Sequence, residues 1–144
     1  MFDTKNLSHI EARRAIDAIQ TELERRGKTA VIAVCDAHGE LLGLLRMSGA
    51  PLPSILIAQN KAFTAARERR ASRDIGQASR DATNGFDLRN FGDDRYIGWG
   101  GGVPVWLDGV CIGAVAVSGV PELEDMELAQ IGVTAALSAA ESGH

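Results

Sequence analysis

The sequence predicts an α+β domain, in the order helix, hairpin, helix, loop, hairpin, helix. Two observations carry this. Two pairs of short apolar runs, rich in β-branched residues, are each joined by turn residues, the mark of antiparallel hairpins. Around them lie longer stretches with apolar residues at helical spacing. A chain of 144 residues suits one domain, 1–144, with a core large enough to fold alone.

The first helix is announced by Ser8 and Glu11, which have the spacing of a capping box. Ile10, Ala12, Ala15, Ile16, Ile19 and Leu23 form its apolar stripe. Arg25, Arg26 and Gly27 end it near residue 26. TAVIAVC (29–35) reads as a buried strand, DAHG (36–39) as a turn, and ELLGLLRM (40–47) as the partner strand. SGAPLP (48–53) is a loop. A helix is expected from just after Pro53 to about Arg70, with Asn60, Lys61, Thr64, Arg67 and Glu68 in one polar band. Its other sides are apolar, so it is expected to pack on two of them. Residues 71–98 are polar and carry the turn signals Asn84-Gly85 and Gly92-Asp93-Asp94. A short helix near 72–79 and then a long ordered loop are expected there; loops of this length usually serve function or an interface. VPVWL (103–107) and VCIGAVAVS (110–118) flank Asp108-Gly109, the signature of a type I′ hairpin turn. The last helix is expected from Pro121 or Glu122 to about Ala140. Glu122, Glu124, Asp125 and Glu127 crowd its first turns, where the helix dipole favours anions.

A net charge of -4 argues against a nucleic-acid binder, which would show a basic face. The arginines between Arg67 and Arg80 are interleaved with Glu68, Asp74 and Asp81, as on a solvated surface. Cys35 and Cys111 sit in apolar strands and read as reduced core thiols, which fits a cytosolic compartment. The opening MFDTKNLSHIEARRAI lacks the apolar region of a signal peptide. No apolar run approaches the ~20 residues of a membrane span. The expectation is a cytoplasmic protein without membrane or nucleic-acid partners.

The stretch YIGWGGGVPVWLDG (96–109) contains five glycines. It lacks the Lys-Ser/Thr of a Walker A loop, and no register gives G-x-G-x-x-G. A strand follows the glycines, so the aligned amides of a helix N-terminus are missing. Both nucleotide readings fall. Two remain: glycines that let the chain turn or lie against another backbone, and glycines that let a ligand touch the main chain.

Four segments, in order, resemble the GlcG/HbpS-like family (DUF336, haem-degrading domain). They are VIAVCDAHGELLGLLRMSGA (31–50), IAQNKAFTAA (57–66), GGGVPVWLDGVCIGAVAVSG (100–119) and EDMELAQIG (124–132). Ser48 stands where the family usually has an acidic residue, and the central segment matches poorly. The resemblance implies a profilin-like fold, with a central antiparallel sheet flanked by helices, and subunits that often form homo-oligomers. It also implies haem binding or degradation, or a place in glycolate or diol catabolism.

Candidate site residues follow. Lys61 matches the family's K-A-x-T-A motif; it is either a surface lysine or an anchor and amine for a ligand, with Thr64 one turn on. Arg46, at a strand end, suits a carboxylate or a structural ion pair. Gly100, Gly101 and Gly102, with Ser118, Gly119, Glu124 and Asp125, complete the expected pocket; pairing of the acidic turn with Lys61 or Arg46 is the sharper option there. No two of His9, His38 and His144 have metal-ligand spacing, so no metal is expected. For haem, the possible cofactor, the candidate axial ligands are His38, Met47 and Tyr96. The leading expectation is a protein binding an anionic small molecule, an organic acid or haem. Two alternatives stand. One is a cofactor-free hydrolase or tautomerase of a small unsaturated or imine-bearing carboxylate, with Lys61 or Asp125 carrying the proton. The other is an oligomeric interaction module.

Overall fold

The computed structural model describes residues 1–141; His144 lies outside the described residues. Nine segments follow in order. They are α1 (His9–Arg25), β1 (Val31–Asp36), β2 (Leu41–Arg46), α2 (Ser54–Glu68), α3 (Ser72–Ser79), a 3-10 turn (Leu88–Phe91), β3 (Gly102–Leu107), β4 (Val110–Ser118) and α4 (Glu122–Glu141). The four strands form one antiparallel sheet in the order β2-β1-β4-β3. The α+β class and the predicted order are present, and each boundary falls within two residues of its expectation.

Strand periodicity divides the core in two. Ile32 and Val34 of β1, with Ile112, Val115 and Val117 of β4, face α1 and α4. Val31, Ala33 and Cys35, with Ala114 and Ala116, face α2. The α2 side is built of small residues, as Ala58, Ala62, Ala65 and Ala66 meet those strand alanines. Small residues on both surfaces let this helix lie close to the sheet. The capping box of α1 forms, with the Ser8 amide donating to Glu11 Oε1 at 2.7 Å. Asp108 and Gly109 both have positive φ, 50° and 77°, as a type I′ turn requires.

Residues 71–98 are ordered by their own side chains. Asp81, Asp87 and Asp93 each accept a backbone N–H two residues on. Tyr96 stacks on Phe91 at 4.2 Å and meets the edge of Phe63. The Arg95 guanidinium lies 3.9 Å from the Phe63 ring centre. Among the described residues no helix is long and apolar enough to cross a membrane. Both cysteines are buried and free.

Candidate functional site

The end of β4, the start of α4 and the first two turns of α2 meet around an open cavity of about 330 Å³. Ser54, Ile57 and Lys61 come from α2, where spacings of three and four residues place them on one face. Ser118, Gly119 and Val120 come from the end of β4 and its exit, Glu122 and Asp125 from the first turn of α4, and Trp99 and Gly100 from the glycine stretch.

Lys61 and Asp125 are each 3 % exposed. Lys61 Nζ donates to Asp125 Oδ2 at 3.1 Å and to the Val117 carbonyl at 3.0 Å. Asp125 Oδ1 accepts the Val120 amide at 3.2 Å. Burial disfavours both charges. It pulls the Lys61 ammonium below its usual value, against the opposing pull of Asp125. It pushes the Asp125 carboxyl up, against Lys61 and the Val120 and Gly119 amides. Burial thus opposes both charges while their mutual contact favours them, so a proton can pass between the two groups. Chemically that is a nucleophile and a proton carrier in contact. The Ser118 hydroxyl donates to Ser54 Oγ at 3.0 Å on the same wall.

The glycines explain the closeness of these parts. Gly100 donates its amide to Glu122 Oε1 at 2.8 Å. A Cβ on Gly101, whose φ is +131°, would stand 2.5 Å from the Val117 carbonyl and 2.7 Å from Lys61 Nζ. A Cβ on Gly102 would overlap the Lys61 carbonyl. Gly102 gives its amide to Ser72 Oγ at 2.9 Å, and Gly101 accepts from the Val117 amide. Of the two readings left open for these glycines, these contacts match the one in which the chain lies against another backbone. The loop backbone presses on α2 and β4, and the amides of Gly100 and Gly102 are already engaged.

Lys61, Asp125, Gly100, Ser118 and Gly119 thus meet at one cavity, with Gly101 and Gly102 behind it. Three expected members lie elsewhere. Arg46 is exposed at the end of the edge strand β2, paired across Val31, which in turn pairs with Ser118. Two strand spacings, about 10 Å, separate it from the cavity rim. Glu124 binds Arg26 at 3.0 Å and Lys28 at 2.6 Å, tying α4 to α1. Thr64 is buried and accepts the Ile97 amide at 3.0 Å, so it anchors the 93–97 segment. Five cavity residues escaped the sequence reading: Glu122, Trp99, Ser54, Ile57 and Val120. The signals were available. Trp99 sits inside the glycine run, Ser54 and Ile57 precede Lys61 by seven and four residues, and Glu122 precedes Asp125 by one turn.

The candidate haem ligands also separate. The Tyr96 hydroxyl donates to Glu68 at 3.3 Å, and Met47 packs against the α1–α4 core. His38 lines a second, larger cavity of about 620 Å³ beside the two hairpin turns. Phe2, Trp106, Leu107 and Val110 supply its apolar walls, and Lys5 and Arg69 are its cations. Burial pushes the Cys35 thiol up, and its Sγ donates to the Ala62 carbonyl, so it is an inert core thiol.

Comparison with known proteins agrees with this architecture. Protein GlcG of Escherichia coli is 36% identical over 112 residues, 78% of this chain and 81% of GlcG. The corrinoid adenosyltransferase PduO of Salmonella typhimurium is 30% identical over 105 residues, 73% of this chain; the match spans only 31% of PduO. Klebsiella pneumoniae ORFY, of DUF336, superposes with a TM-score of 0.89 at 27% identity, over 96% of this chain and 95% of ORFY. The PduOC:haem complex superposes with a TM-score of 0.83 at 27% identity, over 90% of this chain and 94% of that one. Residues 7–134 match the family described as haem degrading protein HbpS-like. With the fold, the order of elements and most of the chain in agreement, this protein belongs to the HbpS-like family.

Proposed function

We propose that the protein binds a small organic molecule in the cavity beside Lys61 and Asp125. One observation carries this reading: a buried cation and a buried carboxylate meet on the wall of an open cavity rather than inside the core. Its volume, about 330 Å³, is at the lower end for small-molecule sites. Ile57, Trp99 and Val120 receive apolar atoms, while Lys61 and the Ser54–Ser118 pair receive polar ones. Lys61 is the one cation on walls that also carry Asp125 and Glu122. Without Arg46, this charge balance favours a neutral or singly charged ligand over a dianion.

The test uses Trp99. In a Trp106→Phe background it is the only tryptophan, so its fluorescence reports the cavity. A series of short-chain carboxylic acids, alcohols and carbonyl compounds should include members that change its emission saturably, and Lys61→Met should weaken them. No saturable change from any of them at millimolar concentration refutes the reading.

Haem has a different fit. Among the described residues the Lys61 cavity has no His, Met, Tyr or Cys on its walls, so these offer haem iron no usual protein ligand. The cavity at His38 offers an imidazole, apolar walls and two cations suited to propionates. It supports a second reading, encouraged by the PduOC:haem relative. There His38 would hold the iron, Trp106 and Val110 the ring, and Lys5 and Arg69 the propionates. Haem would supply redox chemistry at iron. Haemin titration tests this reading: a Soret shift should appear, vanish in His38→Ala and survive in Lys61→Met. A shift unchanged by His38→Ala refutes this placement.

A further inference from the structure

We propose that Lys61 forms an imine with a small neutral aldehyde or ketone, with Asp125 as its proton carrier. This rests on the reading of the cavity as a ligand site. The chain has only three lysines, Lys5, Lys28 and Lys61. Lys28 is half-exposed and bound to Glu124, and Lys5 is exposed. Lys61 alone is buried, and it lines the cavity. Two of its three ammonium donors are fixed, on Val117 and Asp125, which orients the nitrogen and puts a carboxyl within hydrogen-bond reach. A Cβ on Gly101 would stand 2.7 Å from that nitrogen, so glycine there leaves the amine room behind the cavity.

The chemistry balances within these groups. A proton passes from Lys61 to Asp125, leaving a free amine. The amine nitrogen bonds to the carbonyl carbon while Asp125 gives its proton to the carbonyl oxygen. The nitrogen of the resulting carbinolamine returns a proton to Asp125, which then protonates the departing hydroxyl. The sum is ammonium plus carbonyl giving a protonated imine plus water, with Asp125 restored as carboxylate and no oxidant or further reactant. A neutral carbonyl compound is favoured over a keto acid on charge. The imine nitrogen keeps its charge against Asp125, and Glu122 remains on the wall with no second cation to receive a ligand carboxylate.

The probe is butanal with cyanoborohydride, which reduces an imine to a stable secondary amine. Products are followed by intact mass and peptide mapping, and binding is followed separately by Trp99 fluorescence. Lys61 should be labelled before Lys5 and Lys28. Asp125→Asn, checked for folding by circular dichroism, should slow labelling of Lys61 while leaving Lys5 and Lys28 unchanged. Pyruvate should label Lys61 more slowly than butanal, and Glu122→Gln should narrow that difference. Labelling of Lys61 no faster than that of the surface lysines, with butanal still saturating the Trp99 signal, overturns the imine but keeps the ligand site. No labelling and no fluorescence response overturns both. Faster labelling by pyruvate overturns the neutral-carbonyl assignment.

Discussion

Replacing Lys61 with methionine removes one half of a buried pair and strands the other. Methionine fills most of the lysine stem, so the packing change is small and the electrostatic change dominates. Asp125, 3 % exposed, would keep only the Val120 and Gly119 amides. Breaking a buried pair from one side costs about 3–5 kcal/mol, because the remaining charge is left uncompensated. The sign with pH follows from the carboxyl. Its value is already raised in the folded protein by burial, and without Lys61 it rises further. A raised group contributes stability that is present below its unfolded value and lost as pH rises through its folded value. The cost of Lys61→Met is therefore largest near neutrality and shrinks on acidification, by up to about 1.4 kcal/mol per pH unit between the folded carboxyl values of the wild type and the variant. Urea unfolding of wild type and variant at about pH 7.5 and about pH 5 measures this. The double variant Lys61→Met/Asp125→Asn keeps an oxygen for the Val120 amide, should regain most of the loss at about pH 7.5, and should lack the single variant's recovery on acidification. A loss equal at both pH values, or a double variant as unstable as the single one, refutes the reasoning.

Gly102→Ala should destabilise by about 1–3 kcal/mol or displace α2, since its Cβ overlaps the Lys61 carbonyl; thermal melting and loss of the Trp99 ligand response read this together. Thr64→Val keeps the shape but removes the acceptor of the partly buried Ile97 amide, at about 1 kcal/mol, with faster hydrogen exchange expected at residues 95–97. Arg26→Ala removes contacts to Glu124 and Glu127 that hold the end of α1 on α4, and one to Glu22 within α1. Its melting temperature should fall, and the difference should shrink in high salt. Glu22, held down to about 2 by Arg25 and Arg26, contributes stability present above its unfolded value and lost as pH falls toward about 2. The Arg26→Ala difference should therefore also narrow in strong acid.

The elements were legible because each rests on local chemistry: a capping box, an Asp-Gly turn, a proline before α2, period-two strands. The site was only half legible, because its parts meet through contacts that the local pattern does not encode. Lys61 bonds to residues 56 and 64 positions away. On a helical wheel it falls in a polar band, and only the alanine-lined approach of α2 to the sheet turns that edge inward. Arg46 was plausible as a strand end, yet strand order decides which ends converge, and β2 is the edge. The acidic turn shows the limit most sharply. Glu124 and Asp125 are neighbours, but successive helix residues point about 100° apart. Once α1 packs on α4, Glu124 must face Arg26 and Lys28, and Asp125 must face Lys61. Glu122, one turn before Asp125, then shares its face and reaches Gly100. The same fact reinterprets the glycines. Two of their amides are taken, by Glu122 and Ser72. Side chains there would push α2 and β4 apart, and with them the two halves of the Lys61–Asp125 pair. The run of small residues is thus a requirement of the charged pair it touches, and a variant that widens this gap should lose the ligand response before it loses the fold.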